Sequence, residues 1–196
     1  MTSERALMST CGHGDPRSNG ARAGAPVGAR VRVLRRADDL ALRVHFAALT
    51  PDDLRMRFCH SAAPEVLDSY IARILSDGTV SFGVFDGSLA LAGTAQLAVN
   101  GGVAELGVSV LEQHRHAGIG SALVEHAADY ARLHHARIIT LHCLAENLPI
   151  IRLARHAGMA VTFDRGEADA FLFLAAPAHS VAVPDWPMVG CLATVP

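Results

Sequence analysis

The chain has 196 residues, of which 51% are apolar and 18% charged, with a formal net charge of -2 at neutral pH. That length can bury one good core and is short for two ordinary domains, and the charge balance offers no basic face of the kind a dedicated nucleic-acid binder presents. No apolar run is long enough to span a membrane and the first residues lack the apolar centre of a signal peptide, so a cytoplasmic protein that neither enters a membrane nor binds nucleic acid is expected.

Residues 1–28 are rich in Gly, Ser, Arg and Ala without an apolar period and read as a disordered leader. The ordered domain, 29–175, should open with a strand at 30–34, after which Asp38 and Asp39 can cap a helix reaching about residue 49. Pro51-Asp52-Asp53 starts a short helix toward Phe58, and a helix over 63–75 would carry Val66, Leu67, Tyr70, Ile71 and Ile74 on one face. Three strands follow at 79–85, 89–99 and 103–111, joined by hairpin signals at Asp86-Gly87 and Asn100-Gly101-Gly102. They make an antiparallel meander. Ile119, Leu123, Val124, Ala127 and Tyr130 then form the apolar stripe of a helix over 118–133, and the β-branched run 137–144 returns as a strand parallel to its predecessor. A helix from Asn147 to about residue 156 stops at Ala157-Gly158, and strands at 160–163 and 168–174 close the domain. The proline-bearing tail, 176–196, reads as irregular, with Trp186 able to anchor part of it. The expected class is α/β, a mixed sheet with an antiparallel meander and then a parallel pair, flanked by helices.

One turn stands out. Arg115-His116-Ala117-Gly118-Ile119-Gly120 follows an apolar strand and opens an amphipathic helix. The first backbone N–H groups of a helix have no partner within it, so a phosphate oxygen can accept from them. Gly118 and Gly120 leave room for an anion near the backbone, and the helix dipole and Arg115 add positive charge.

Arg115, Gly118 and Gly120 match the Gln/Arg-x-x-Gly-x-Gly/Ala signature of the GNAT superfamily of acyl-CoA-dependent N-acyltransferases, and the chain resembles that family over about 30–174. Asn147, Leu153 and Gly158 match its second signature, with Met159 where the family has Phe and Ala154 where many members carry a tyrosine acid. The resemblance implies that acetyl-CoA, the co-substrate, lies where the strands at 103–111 and 137–144 splay. Its pyrophosphate would sit on the backbone from Arg115 through His116, Ala117, Gly118 and Ile119 to Gly120. Its pantetheine arm would pair with the strand edge at Val108 and Val110, and Asn147 would approach from the other wall. Leu54-Arg55-Met56-Arg57-Phe58, Ala104-Glu105-Leu106 and Leu144-Ala145-Glu146-Asn147 are similar to the acyltransferase domains of bacterial protein lysine acetyltransferases. A protein lysine is therefore the preferred acceptor, a small-molecule amine the alternative, and a non-catalytic acyl-CoA-binding module the rival from another class.

An amine must lose a proton to attack a thioester, and Glu105 is the candidate general base. It shares a strand face with Gly107 and Ser109; a solvent-facing strand residue near the Gly101-Gly102 turn is the alternative reading. Backbone N–H near Val110 would stabilise the oxyanion. Arg55 and Arg57 either shape an acceptor-side loop or are wet neighbours of a core Phe58, and Arg152 and Arg155 read as solvated helix arginines. His114, His116, His134, His135 and His142 show no helical pairing with a carboxylate or thiolate, and Cys11, Cys59, Cys143 and Cys191 form no CxxC pair, so no metal is expected. All 17 basic residues are arginines, so no lysine of this chain can take an acyl group. The sequence leaves acyl chain length and oligomeric state open, a homodimer included.

Overall fold

A computed structural model describes residues 30–61, 63–76 and 78–174. The expected leader and tail, with Trp186, Cys11 and Cys191, lie outside the described residues. In chain order the elements are β1 (Val31–Val33), α1 (Asp39–Ala47), α2 (Pro51–Phe58), α3 (Pro64–Ile74), β2 (Thr79–Phe85), β3 (Leu91–Asn100) and β4 (Val103–Val110). They continue with α4 (Ile119–Leu133), β5 (Ile138–Leu144), α5 (Leu148–His156), β6 (Ala160–Asp164) and β7 (Glu167–Phe173). The strands form a seven-stranded sheet in the order β1-β2-β3-β4-β5-β7-β6, with β4 and β5 parallel and the other neighbours antiparallel.

Two boundaries differ from expectation for local reasons. The turn after β2 is longer than a two-residue hairpin, because the Asp86 carboxylate accepts from the Ser88 and Ala90 N–H groups and Leu89 takes a left-handed conformation. The return strand therefore starts at Leu91. Short 3-10 turns also precede α1, at Arg36–Asp38, and follow β4, at Glu112–His114. The α2 start is fixed as a capping box: Thr50 Oγ1 accepts from Asp53 N–H at 3.1 Å, Asp53 caps back, and Pro51 occupies the first turn.

The two faces of the sheet bury different chemistry. On one, the alanine-rich stripe of α4 (Leu123, Ala127, Ala131) packs on Phe82, Leu97, Ala104 and Leu106. Gly93 makes the close approach there, since a Cβ would stand 2.7 Å from Ile119 Cγ2. On the other, Phe46, Phe58 and Tyr70 form an aromatic cluster with α3's Ile71 and Ile74, its edge-on ring pairs 5.0 and 5.6 Å apart. Between that cluster and the sheet lies a layer of buried polar side chains.

Candidate active site

The parallel pair gives the site its shape. β4 and β5 pair only at Val103↔Ile138, Ala104↔Ile139 and Glu105↔Thr140, after which β5 continues along β7 and leaves β4. Leu111 N–H donates to Ala92 O on β3, so by antiparallel alternation the N–H groups of Ser109 and Gly107 point the same way. Those of Val108 and Val110 point across the opening. A cleft of about 580 Å³ occupies this splay, walled by β4, β5, α2, α5 and the start of α4.

At its head, the turn into α4 alternates handedness. His116 has φ +61° and Gly118, the N-cap, has φ +75°, and no side chain caps the helix. The first-turn N–H groups are thus left to an external acceptor. Gly120 has a different reason from the expected one: a Cβ would meet Leu153 Cδ2 at 3.2 Å, so its lack of a side chain lets α4 pack on α5. Arg115 turns inward. Its Nε donates to Val110 O at 3.2 Å and its Nη2 to Asp53 Oδ1 at 2.6 Å. Burial alone would raise the Asp53 pKa, but the hydrogen bonds from Arg115 and Thr50 outweigh it and hold the carboxyl below its ordinary range.

Asn147 closes the far wall. As the N-cap of α5 its Oδ1 accepts from Ile150 N–H at 3.3 Å, while its Nδ2 donates to Met56 O at 3.1 Å and ties α5 to α2. At the rim, Arg55 bridges Asp52 at 3.1 Å and Glu146 at 2.6 Å. His142 on β5 faces the cleft with Nδ1 2.8 Å from Asp169 Oδ1.

The polar layer beneath α1 and α2 was not expected from the sequence. Arg57 is no wet neighbour of Phe58: it is 9% exposed, its Nη2 donates to Tyr70 Oη at 2.7 Å and Gln96 Oε1 at 3.0 Å, and its guanidinium fills the place of a Gly107 side chain. Beside it, His45 Nδ1 lies 2.8 Å from Leu91 O and Nε2 2.8 Å from Ser109 Oγ. Desolvation pushes the His45 pKa down against the pull of the Leu91 carbonyl, and the positive charge of Arg57 adds to the fall. The signals that could have found this layer are polar residues on otherwise apolar strands, Thr94, Gln96 and Ser109, facing one way at alternate positions.

Of the expected site residues, Val108, Val110, Arg115, His116, Gly118, Ile119, Gly120 and Asn147 all border the cleft. Ala117 is exposed on the turn. Glu105 is half-buried on the Gly107 and Ser109 face, one strand repeat before the cleft wall begins at Leu106 and Gly107. Among the described residues no group of three His, Cys, Asp or Glu side chains could hold a metal ion, and no helix is long and apolar enough to cross a membrane.

A search of curated proteins by sequence returns no match. Among solved structures, the GNAT domain of PAT from S. lividans superposes with a TM-score of 0.65 at 20% identity, covering 74% of this chain and 89% of that one. The spermidine N-acetyltransferase from Vibrio cholerae, solved with CoA and spermine, gives 0.58 at 20% identity over 74% and 95%. An N-acetyltransferase from Staphylococcus aureus Mu50 gives 0.60 at 15% identity over 74% and 98%. At these identities the likeness establishes the fold. The sequence model of the acetyltransferase (GNAT) family matches residues 46–159, more than half of the chain and the whole of the cleft's frame. The chain belongs to the acetyltransferase (GNAT) family of acetyl-CoA-dependent N-acetyltransferases.

Proposed function

We propose that the protein transfers an acetyl group from acetyl-CoA to a primary amine by direct attack, with a protein lysine as the preferred acceptor and Glu105 as the general base. The observation that carries this reading is the opened β4 edge: the N–H groups of Val108 and Val110 face a cleft whose head is an uncapped helix N-terminus. Pyrophosphate accepts from the backbone between Arg115 and Gly120, and the pantetheine amides pair with the β4 edge. The thioester then lies beside Val110, whose N–H donates to the oxyanion as the tetrahedral intermediate forms. Glu105, short of the cleft wall on the same strand, takes the amine proton through bridging water. Arg115, held by Asp53 and Val110 O, positions the turn rather than reaching freely into solvent.

The lysine preference is supported by likeness to the GNAT domain of PAT, and the small-amine alternative by likeness to a spermidine acetyltransferase. Acceptor competition separates them. With a lysine-bearing protein and spermidine present together, acetyl should appear on protein lysine first. Acetylation of spermidine alone would reassign the acceptor. Because this chain has no lysine, acetyl-lysine found in the mixture belongs to the acceptor. The cytoplasm, where acetyl-CoA and its acceptors coexist, is the compartment this function fits.

A further inference from the structure

Ser109, at the wall of the cleft, and His45, buried behind it, form a nucleophile and base that direct amine attack leaves unused. A carbonyl oxygen can only accept, so the His45 Nδ1 facing Leu91 O at 2.8 Å carries the proton. Buried at 1% exposure and with its pKa lowered, the imidazole is neutral, so Nε2 presents a lone pair. The Ser109 hydroxyl, 2.8 Å away, therefore donates to Nε2 and keeps its own lone pairs for an electrophile. That is an oriented base on a hydroxyl nucleophile, the arrangement that activates serine for acyl transfer. Ser109 borders the cleft and stands on β4 between Val108 and Val110, whose N–H groups face the opening.

We propose that, when no amine is bound, Ser109 itself accepts the acyl group, giving the protein a second activity as a slow acyl-CoA hydrolase. This rests on the acyl-CoA reading of the cleft. Ser109 Oγ bonds to the thioester carbonyl carbon as its proton passes to His45 Nε2. The C–S bond then breaks, the departing sulfur takes that proton, and CoA leaves with its thiol restored. Water next attacks the serine ester, giving a proton to Nε2. The ester C–O bond breaks, Oγ recovers the proton, and the carboxylic acid is released. Net, one thioester and one water become one carboxylic acid and one thiol. Both steps are slow because Nδ1 is held by a carbonyl rather than a carboxylate and Arg57 opposes a second positive charge nearby. An oxygen ester is less activated than a thioester and its alkoxide leaves less readily than a thiolate, so deacylation is the slower step and the acyl-serine accumulates.

The test uses the full chain with acetyl-CoA and no amine, quenched in acid and cut after glutamate. Cleavage at Glu105 and Glu112 isolates residues 106–112, in which Ser109 is the sole hydroxyl or thiol. This peptide should gain the mass of one acetyl group, approaching one per chain, with an initial burst of thiol of the same size before slow turnover; Ser109→Ala should abolish the adduct and the burst. Ser109→Cys, which keeps a nucleophile at the position, should restore the adduct as a thioester if Ser109→Ala fails to fold. An unmodified peptide while the same sample binds CoA and acetylates an added amine would overturn the hydrolase and leave the transferase standing. An unmodified peptide with no CoA bound would overturn both.

Discussion

The two faces of the central sheet solve the same packing problem with opposite materials. Toward α4 the strands present Phe82, Leu97, Ala104 and Leu106 to a mainly Leu and Ala stripe, with the Phe82 ring edge-on to His126 and Tyr130 at 4.9 and 5.5 Å. Toward α1 and α3 the same strands present Thr94, Gln96, Gly107 and Ser109, and there Ser109 bonds His45 while Gln96 bonds Arg57, Tyr70 and Thr94. Strand glycines allow close approach on both faces: Gly93 seats Ile119 on one, and Gly107 seats Arg57 and Gly83 seats Leu34 and Leu91 on the other. One face thus holds the sheet by apolar packing, while the other, with the same strands and at a cost in desolvation, brings the polar side chains of Arg57 and Ser109 to the cleft wall.

The contrast can be broken from the apolar side first. Leu123→Ala removes a fully buried side chain from the α4 stripe and should cost about 3 kcal/mol of stability, read as a lower urea midpoint with CoA binding retained below the transition. On the polar face, Gly107→Ala puts a methyl where the Arg57 guanidinium lies; it should cost about 2 kcal/mol and also weaken CoA binding, because Gly107 and Arg57 both border the cleft. Equal loss of stability with unchanged CoA affinity would show that the polar layer is structural only. A gentler probe leaves the sequence intact. His45 has a lowered pKa in the folded state, so the unfolded chain binds more protons below the ordinary value of 6.5. Stability contributed by the neutral imidazole is present above that value and lost as pH falls below it. Thermal melts should decline through that window, with a shallower decline in His45→Gln.

The same contrast explains what could be read in the chain. The meander, the crossover helix and the order of elements were legible because apolar periodicity and turn residues are local signals, as with the α4 stripe and Asn100-Gly101-Gly102. The splay at Val108 and Val110 followed from a family resemblance and is framed by the short β4–β5 ladder. What escaped was long-range: that Arg115 turns to Asp53, that Gly120 serves Leu153, and that Arg57 is buried on Gly107. None of these partners is near in sequence, and an arginine on a short helix carries no mark that says whether it is wet or dry. Ala154, set by the family resemblance where a tyrosine acid would stand, is a core-facing residue of α5 at 1% exposure. On the proposed reading, the acid for the departing thiolate comes from elsewhere in the cleft or from solvent.

Whether this cleft moves an acetyl group to an amine with Glu105 as the base is read from thiol release from acetyl-CoA with a lysine-bearing acceptor, wild type beside Glu105→Gln, with CoA affinity measured on both. Acceptor-dependent release should fall about a hundredfold or more in the variant while CoA affinity is unchanged. CoA binding with no acceptor-dependent release in wild type, across protein and small amines, would contradict it and leave a cleft that binds CoA without transferring its acyl group.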